Sequence, residues 1–293
     1  MTDFSGVYTA LATPFRDGKV DYAALEKLIE SQIAGGVAGI VPVGTTGESP
    51  TLDYEEHGKV IEFAIKCANK RCKVIAGTGA NSTAEAIRLT AEARELGADA
   101  TLQVTPYYNK PTPEGMYRHF STVADKIGLP VVLYNVPGRA GVPIPVDVIA
   151  RLAKNSTVVA VKEAGGNVDR VSQILDQCDI CVLSGDDSLT LPMLAVGARG
   201  VISVASHLIP AELVKMVDLA LGGNFAAARE IHRKYYRLFT DLFIESNPIP
   251  VKAALEMVGL GVAEYRLPLC PLSDAHREKL RQTMIACGVV KNA

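Results

Sequence analysis

Short apolar runs alternate with amphipathic segments of helical period almost from the first residue of the chain. Successive runs begin roughly 20 to 35 residues apart, which is the length of one strand–helix unit. Eight runs have the length and β-branched character of buried strands. They are Val7–Leu11, Gly39–Val43, Val74–Gly77, Ala100–Val104, Val131–Tyr134, Val158–Lys162, Cys181–Ser184 and Gly200–Val204.

The segments between these runs carry recognisable helix boundaries. Asp21 can cap a helix over Asp21–Ala34, because aspartate accepts hydrogen bonds from the first free amides. Ser82 and Glu85 have the spacing of a capping box that opens a helix over Thr83–Leu96. Thr112, followed by proline, predicts the start of another helix. Helices therefore separate consecutive strands.

Eight strands separated by helices predict a parallel sheet closed into a (β/α)₈ TIM barrel. An open doubly wound sheet is the alternative, but it usually has a glycine-rich phosphate turn after its first strand, where this chain has Thr13-Pro14-Phe15. After about residue 222 only helical segments follow. We therefore predict a catalytic barrel over residues 1–222 and a C-terminal α-helical extension over residues 223–293.

Composition narrows the function classes. The chain has 293 residues, a formal net charge of −2 and no basic excess, so nucleic acid is not an expected partner. Neither an export signal nor an apolar run long enough for a bilayer is evident, so we expect a cytoplasmic protein without a membrane partner. Cys178 and Cys181 have C-x-x-C spacing, but no second pair or histidine cluster accompanies them, and we predict no metal site.

Catalytic residues of such barrels collect at the C-terminal ends of the strands, and Lys162 closes the run Val158–Val161 there. Strand alternation places Lys162 on the same face as Val158 and Ala160. If that face lines the barrel, the apolar setting disfavours the ammonium form, and a lysine must be neutral to attack a carbonyl. By this pattern alone, a lysine paired with Glu163 in solvent fits equally well.

Other strand ends supply hydroxyl, guanidinium and amide groups. Tyr134 and Tyr108 could carry protons, and Thr45 could link the two phenols in a hydroxyl chain. Arg139 could bind a carboxylate with its planar fork, and the amides of Gly44–Gly47 could do the same. Each also has an ordinary interpretation, as a packing tyrosine, a loop arginine or a turn.

Four motifs in these regions resemble the dihydrodipicolinate synthase family, within the N-acetylneuraminate lyase superfamily of pyruvate-dependent aldolases. The resemblance extends from Phe4 to the C-terminal helices, with the motifs in family order and spacing. The motifs are Gly44-Thr45-Thr46-Gly47-Glu48, Tyr134-Asn135-Val136-Pro137-Gly138-Arg139, Val161-Lys162-Glu163 and Asn247-Pro248-Ile249-Pro250-Val251-Lys252.

The resemblance implies an aldol-type lyase reaction. Lys162 would form a Schiff base with pyruvate, and the derived enamine would attack L-aspartate 4-semialdehyde to give 4-hydroxy-tetrahydrodipicolinate, the entry step to diaminopimelate and lysine. No metal or organic cofactor is implied, because the lysine itself is the electron sink. The implied roles are a proton relay of Tyr134, Thr45 and Tyr108, pyruvate binding by Thr46, semialdehyde binding by Arg139, and a pocket wall of Gly185 and Ile202.

The resemblance also implies a homo-oligomer and an effector. Tyr108 would reach into the active site of a neighbouring subunit, and most relatives are homotetramers built as dimers of dimers. L-lysine would inhibit by binding at the dimer interface. The positions implied for its site are Ser49, Pro50, Tyr54, His57, Asn81, Glu85 and Tyr107.

Two other functions compete with this interpretation. N-acetylneuraminate lyases and keto-deoxy sugar-acid aldolases of the same superfamily would share Lys162 and Tyr134, but the neuraminate lyases typically lack an arginine at the position of Arg139. A catalytically inactive binding protein on the same barrel would be expected to lack the lysine or the tyrosine, and this chain has both.

Overall fold

The eight predicted strands form a closed parallel barrel in the computed structural model, which describes residues 3–291. The strands are β1 (Gly6–Ala10), β2 (Gly39–Val41), β3 (Lys73–Gly77), β4 (Ala100–Val104), β5 (Val131–Asn135), β6 (Val158–Glu163), β7 (Cys181–Ser184) and β8 (Gly200–Ser203). Each strand pairs with its neighbours in chain order, and β1 closes the barrel by pairing with both β2 and β8. The predicted TIM barrel is confirmed.

Helices surround the barrel and follow the strands. They are α1 (Tyr22–Ala34), α2 (Tyr54–Ala68), α3 (Thr83–Leu96), α4 (Pro113–Ile127), the single turn α5 (Pro137–Ala140), α6 (Val146–Leu152), α7 (Asp169–Gln177), α8 (Thr190–Ala195) and α9 (Pro210–Leu221). Asp21 caps α1 by accepting from the Ala24 amide, and Thr112 caps α4 by accepting from the Gly115 amide. A two-stranded hairpin of Phe15–Arg16 and Lys19–Val20 was not predicted.

The capping box predicted at the start of α3 is wrong, although the bounds of that helix are right. Ser82 occupies the N-cap position without a capping hydrogen bond from its side chain. The Glu85 carboxylate instead accepts a hydrogen bond from the Tyr54 hydroxyl at 2.9 Å. Glu85, which local spacing assigned to the cap, therefore binds a residue of another helix, Tyr54 on α2. The reciprocal pair exists at α2, between Asp53 and Glu56.

The two faces of each strand enter different apolar clusters. Ala160 lies in the barrel interior with Tyr134, whereas Val158 packs outside the barrel beneath the helices. The prediction that Val158 shares the face of Lys162 is therefore wrong. The reason is an irregularity in β6: Val131 pairs with Val158, but Val132 pairs with Ala160, so one extra residue reverses the alternation.

The C-terminal region is helical, as predicted, with α10 (Phe225–Asp241), α11 (Ile249–Met257) and α12 (Asp274–Ala286). One apolar cluster runs from the outer face of the barrel into this region, where it includes Leu238 and Leu280. The division at residues 222 and 223 stays a prediction, because this shared core crosses it. Within residues 3–291, none of the helices combines the length and the apolar character needed to cross a bilayer.

Candidate active site

A cavity of about 670 Å³ lies at the C-terminal ends of the barrel strands, where this fold places chemistry. Loops after β2, β5, β6 and β7 contribute to its wall, and α10 with the segment before α11 forms one side. Six of the eight residues predicted for catalysis and substrate binding line it: Thr45, Thr46, Tyr134, Arg139, Lys162 and Gly185.

Lys162 faces the barrel interior from near the end of β6. Its side chain is 6% exposed, and its Nζ lies 4.3 Å from the centroid of the Tyr134 ring. The two residues are direct partners across β5 and β6. The alternative in which Lys162 pairs with Glu163 in solvent is wrong, because Glu163 is fully buried and its carboxylate binds Arg170 at 2.8 Å. An amine in this setting can attack a carbonyl beside a phenol that can exchange protons.

Gly185, which follows β7, leaves room for the Lys162 side chain. A Cβ atom at this position would lie 3.0 Å from Lys162 Cε and 2.6 Å from the Cβ of Ala164. Both distances are too short for ordinary contacts. The glycine therefore permits the lysine to extend along this part of the wall.

The loop that follows β2 holds Thr45 and Thr46 between two residues of left-handed backbone conformation. Val43 has a φ of 49° and Glu48 a φ of 54°, which is unfavourable for a β-branched residue such as valine. The Glu48 carboxylate is buried and binds the ammonium of Lys252 on α11 at 2.5 Å. A long-range ion pair therefore anchors this strained loop to the C-terminal region.

Asn247 joins the two groups that are predicted to bind carboxylates, and sequence reasoning assigned it no role. Its Nδ2 donates to Thr46 Oγ1 at 2.9 Å, and its backbone oxygen accepts from Arg139 Nη2 at 3.0 Å. Its side chain is buried at the cavity wall. The only signal in the sequence was its position in the fourth motif, 108 residues beyond Arg139.

The structure does not bring Tyr108 or Ile202 to the cavity wall. Tyr108 is 91% exposed, with a φ of 71°, and projects from the loop after β4. Ile202 is buried in the barrel-interior cluster and is absent from the cavity lining among the described residues. A single chain therefore does not assemble the three hydroxyls of the predicted relay.

A second cleft of about 580 Å³ shares Thr45, Tyr134 and Arg139 with the first cavity. Six of the seven residues predicted for an effector site line it: Ser49, Pro50, Tyr54, His57, Glu85 and Tyr107. Asn81 lies beside this set and donates to the backbone oxygen of Tyr107 at 3.2 Å. Burial lowers the pKa of His57, whose Nε2 lies 3.0 Å from the Gly77 oxygen. The predicted effector residues are therefore neighbours in space.

Comparison with known proteins gives consistent matches over nearly the whole chain. The sequence model of the Dihydrodipicolinate synthetase family matches residues 3–287. A 4-hydroxy-tetrahydrodipicolinate synthase from Geotalea daltonii is 52% identical over 283 residues, which cover 96% of this chain and 98% of the relative. A solved structure of dihydrodipicolinate synthase from Aquifex aeolicus has a TM-score of 0.97 and 52% identity, covering 99% of this chain and 100% of that one. A structure of DHDPS from Cyanidioschyzon merolae with lysine bound has a TM-score of 0.95 and 42% identity, covering 98% and 99% respectively.

Proposed function

The chain belongs to the dihydrodipicolinate synthetase family, and we propose that it condenses pyruvate with L-aspartate 4-semialdehyde to form 4-hydroxy-tetrahydrodipicolinate. The observation that carries this proposal is Lys162, a buried amine that lines the cavity beside Tyr134. Relatives that are about half identical over nearly their whole length are named for this activity, and none of those reported above is named as a sugar-acid aldolase. The synthase is therefore favoured over the neuraminate-type alternative.

The proposed reaction starts at the Lys162 amine. Its lone pair attacks the keto carbon of pyruvate, and loss of water leaves a protonated imine. Loss of a methyl proton gives an enamine, whose carbon attacks the aldehyde of the second substrate. The amino group of that substrate then attacks the imine carbon, which closes the ring and releases the lysine.

We assign the proton transfers to Tyr134, Thr45 and Tyr108. The ring contact between Lys162 and Tyr134 supports a role of the Tyr134 hydroxyl near the imine. Because Tyr108 is exposed in a single chain, we propose that it completes the relay of a neighbouring subunit. This needs at least a dimer, and a homotetramer made of two such dimers is the proposed assembly.

Substrate carboxylates are assigned to the two residues that Asn247 connects. Thr46 and the amides around it would hold pyruvate, and Arg139, exposed at the mouth, would bind the semialdehyde carboxylate. Gly185 would form the wall beside the lysine. Ile202 is proposed to shape the site from the apolar layer behind it, since it does not line the cavity in this chain.

We also propose that L-lysine, the product of the pathway that the reaction would enter, inhibits the enzyme through the second cleft. The Glu85 carboxylate and the polar cleft residues around Tyr54 provide hydrogen-bond acceptors for the amine of a ligand. The same cleft borders Thr45 and Tyr134. The lysine-bound structure of a 42% identical relative supports this assignment. A cytoplasmic location, where pyruvate is available, is part of the same proposal.

The proposal is tested by trapping the imine. Incubation with pyruvate and borohydride should add a reduced pyruvyl group to a peptide that contains Lys162, and Lys162→Ala should remove both the label and most turnover. A coupled assay with pyruvate and aspartate semialdehyde, run beside a neuraminate cleavage assay, separates the two functions. Labelling at a different lysine would contradict the mechanism, and neuraminate cleavage without condensation would contradict the substrate assignment.

A further inference from the structure

We propose that Asn135, Glu163 and the partly buried Arg170 form a positioning network that orients Lys162 and neutralises the negative charge beside it. This inference rests on the proposed function, because it concerns the readiness of the Lys162 amine to form an imine. None of the three side chains lines the cavity among the described residues. Their action must therefore pass through the residues next to them.

The position of the network follows from strand register. Tyr134 pairs with Lys162 across β5 and β6, and the next two residues, Asn135 and Glu163, pair in the same way. Because alternate residues face opposite sides of a strand, the reactive pair faces the cavity while the network pair lies behind the barrel wall. Arg170 reaches Glu163 from α7. Any change in the network pair therefore changes the backbone that carries the reactive pair.

The Glu163 carboxylate is fully buried and held by three donors. Its Oε1 accepts from Asn135 Nδ2 and from the Gly165 amide, each at 2.7 Å, and its Oε2 accepts from Arg170 Nε at 2.8 Å. Arg170 also donates from Nη2 to the Ile144 oxygen, and the Ile144 amide donates to Asn135 Oδ1 at 2.8 Å. Buried polar groups that satisfy one another in this way hold one geometry, which here joins β5, β6 and α7.

Charge gives the network a second role. The Glu163 carboxylate places a negative charge one residue from Lys162, and the Arg170 guanidinium that binds this carboxylate offsets that charge behind the wall. The charged or titratable side chains that share the cavity with Lys162 are Tyr134, Arg139 and Asp186 among the described residues. These come from β5, α5 and the loop after β7, and the substitutions proposed below leave them unchanged.

The expected size of the effect can be worked from this placement. Charges on opposite faces of one strand lie on the order of 10 Å apart, and at an effective dielectric constant near 20 one uncompensated charge shifts a titration by about one pH unit. Arg170→Gln leaves the Glu163 charge uncompensated, so the pH midpoint of imine formation should rise by about one unit. Glu163→Gln leaves Arg170 uncompensated, so the midpoint should fall by a similar amount.

The experiment measures the rate of imine formation with pyruvate alone, by borohydride trapping and mass spectrometry, between pH 6 and pH 10. We expect a raised midpoint for Arg170→Gln, a lowered midpoint for Glu163→Gln, and a midpoint near that of the wild type when both substitutions are combined. Arg170→Lys keeps the charge and should keep the midpoint even if the rate falls. Arg151→Gln removes an arginine from an exposed pair with Glu114 and is the matched control, expected to shift nothing.

The results separate this inference from the function on which it rests. A wild type that forms no adduct at Lys162 would overturn the proposed function, whereas an adduct whose pH midpoint is the same in all variants would overturn the network's electrostatic role. Rate losses in folded Arg170→Gln and Glu163→Gln without a change of midpoint would retain the orienting role of these two residues and overturn their electrostatic role. If Arg170→Gln does not fold, the lowered midpoint of Glu163→Gln and the unchanged midpoint of Arg170→Lys still decide the question.

Discussion

The ion pair between Glu48 and Lys252 gives the sharpest prediction for stability. Both side chains are essentially inaccessible to solvent, at 0% and 2% exposed, and their charged atoms lie 2.5 Å apart. The ammonium also lies over the rings of Phe15, at 4.2 Å, and Tyr265, at 5.3 Å. The Arg266 amide donates to the second carboxylate oxygen at 3.3 Å. We choose Lys252→Met, which keeps an unbranched apolar side chain and removes the charge.

The substitution leaves a buried carboxylate with one weak backbone donor and no cation in direct contact. Removing one partner of a buried ion pair typically costs about 3–5 kcal/mol, because the remaining charge stays desolvated. Loss of the cation–ring contacts adds on the order of 1 kcal/mol. We therefore expect Lys252→Met to lower the free energy of unfolding by about 4–6 kcal/mol. Adding Glu48→Gln removes the stranded charge and should recover at least half of this loss.

The assay is equilibrium unfolding in urea at pH 7.5, at one fixed protein concentration because subunit association contributes to apparent stability. Lys66→Met is the matched control, since Lys66 and Glu62 are also 2.5 Å apart but are 70% and 43% exposed. That exposed pair should contribute less than about 1 kcal/mol. We also expect weaker pyruvate binding in Lys252→Met, because the ion pair anchors the loop that carries Thr46.

Two results would refute this reasoning. One is a loss of unfolding free energy in Lys252→Met that is no larger than the loss in Lys66→Met, which would mean that burial does not strengthen the ion pair. The other is a double variant with Glu48→Gln whose loss equals the sum of the single losses. Additive losses would show that the two side chains do not interact energetically in the folded protein.

Three further predictions follow from the site and the core. Gly185→Ala should reduce the rate of imine formation by at least tenfold without loss of fold, because the new Cβ would lie too close to the Lys162 side chain. An unchanged rate of imine trapping by borohydride would contradict this prediction. Mixing Tyr108→Phe and Lys162→Ala subunits should restore part of the activity through hybrid sites, and no recovery after verified subunit exchange would place Tyr108 in its own chain's site. Burial lowers the pKa of His119 and of His207 to about 4, so stability present above pH 6.5 is lost as the pH falls toward 4. Urea unfolding should show a loss of roughly 2 kcal/mol for each histidine between pH 7.5 and pH 5, and His207→Gln should make the loss smaller.

Local pattern was enough to predict the barrel and to place Lys162 at the end of a strand, whereas its role as the reactive amine was implied by the resemblance to the family. Each strand is a short apolar run bounded by turns, and this signal does not depend on distant parts of the chain. Two of the eight strands have the predicted bounds, and the ends of the others differ by one or two residues. The N-caps of α1 and α4 could be predicted equally well, because Asp21 and Thr112 accept hydrogen bonds from backbone amides only three residues away. Alternation correctly placed Lys162 on the face of Ala160, but it did not decide that this face lines the barrel.

Contacts between distant residues could not be predicted in this way. The extra residue in β6 turns Val158 outward, and its effect is visible only against the register of β5. Glu85 has the spacing for a cap but binds Tyr54, which precedes it by 31 residues. A side chain with two available partners takes the one that folding brings closest in the better geometry, and spacing along the chain does not decide that.

The residues of the candidate site also fall into two groups, those that local sequence pattern indicates and those that depend on tertiary contacts. Position at or just after a strand end made the lysine, the tyrosine and the threonines candidates, and the resemblance to the family supplied their predicted roles. Asn247 joins Thr46 to Arg139 across 201 and 108 residues, and Glu163 turns away from Lys162 to meet Arg170. These partners were decided only in three dimensions, because a buried polar group must find its donors and acceptors within hydrogen-bond distance once water has been excluded.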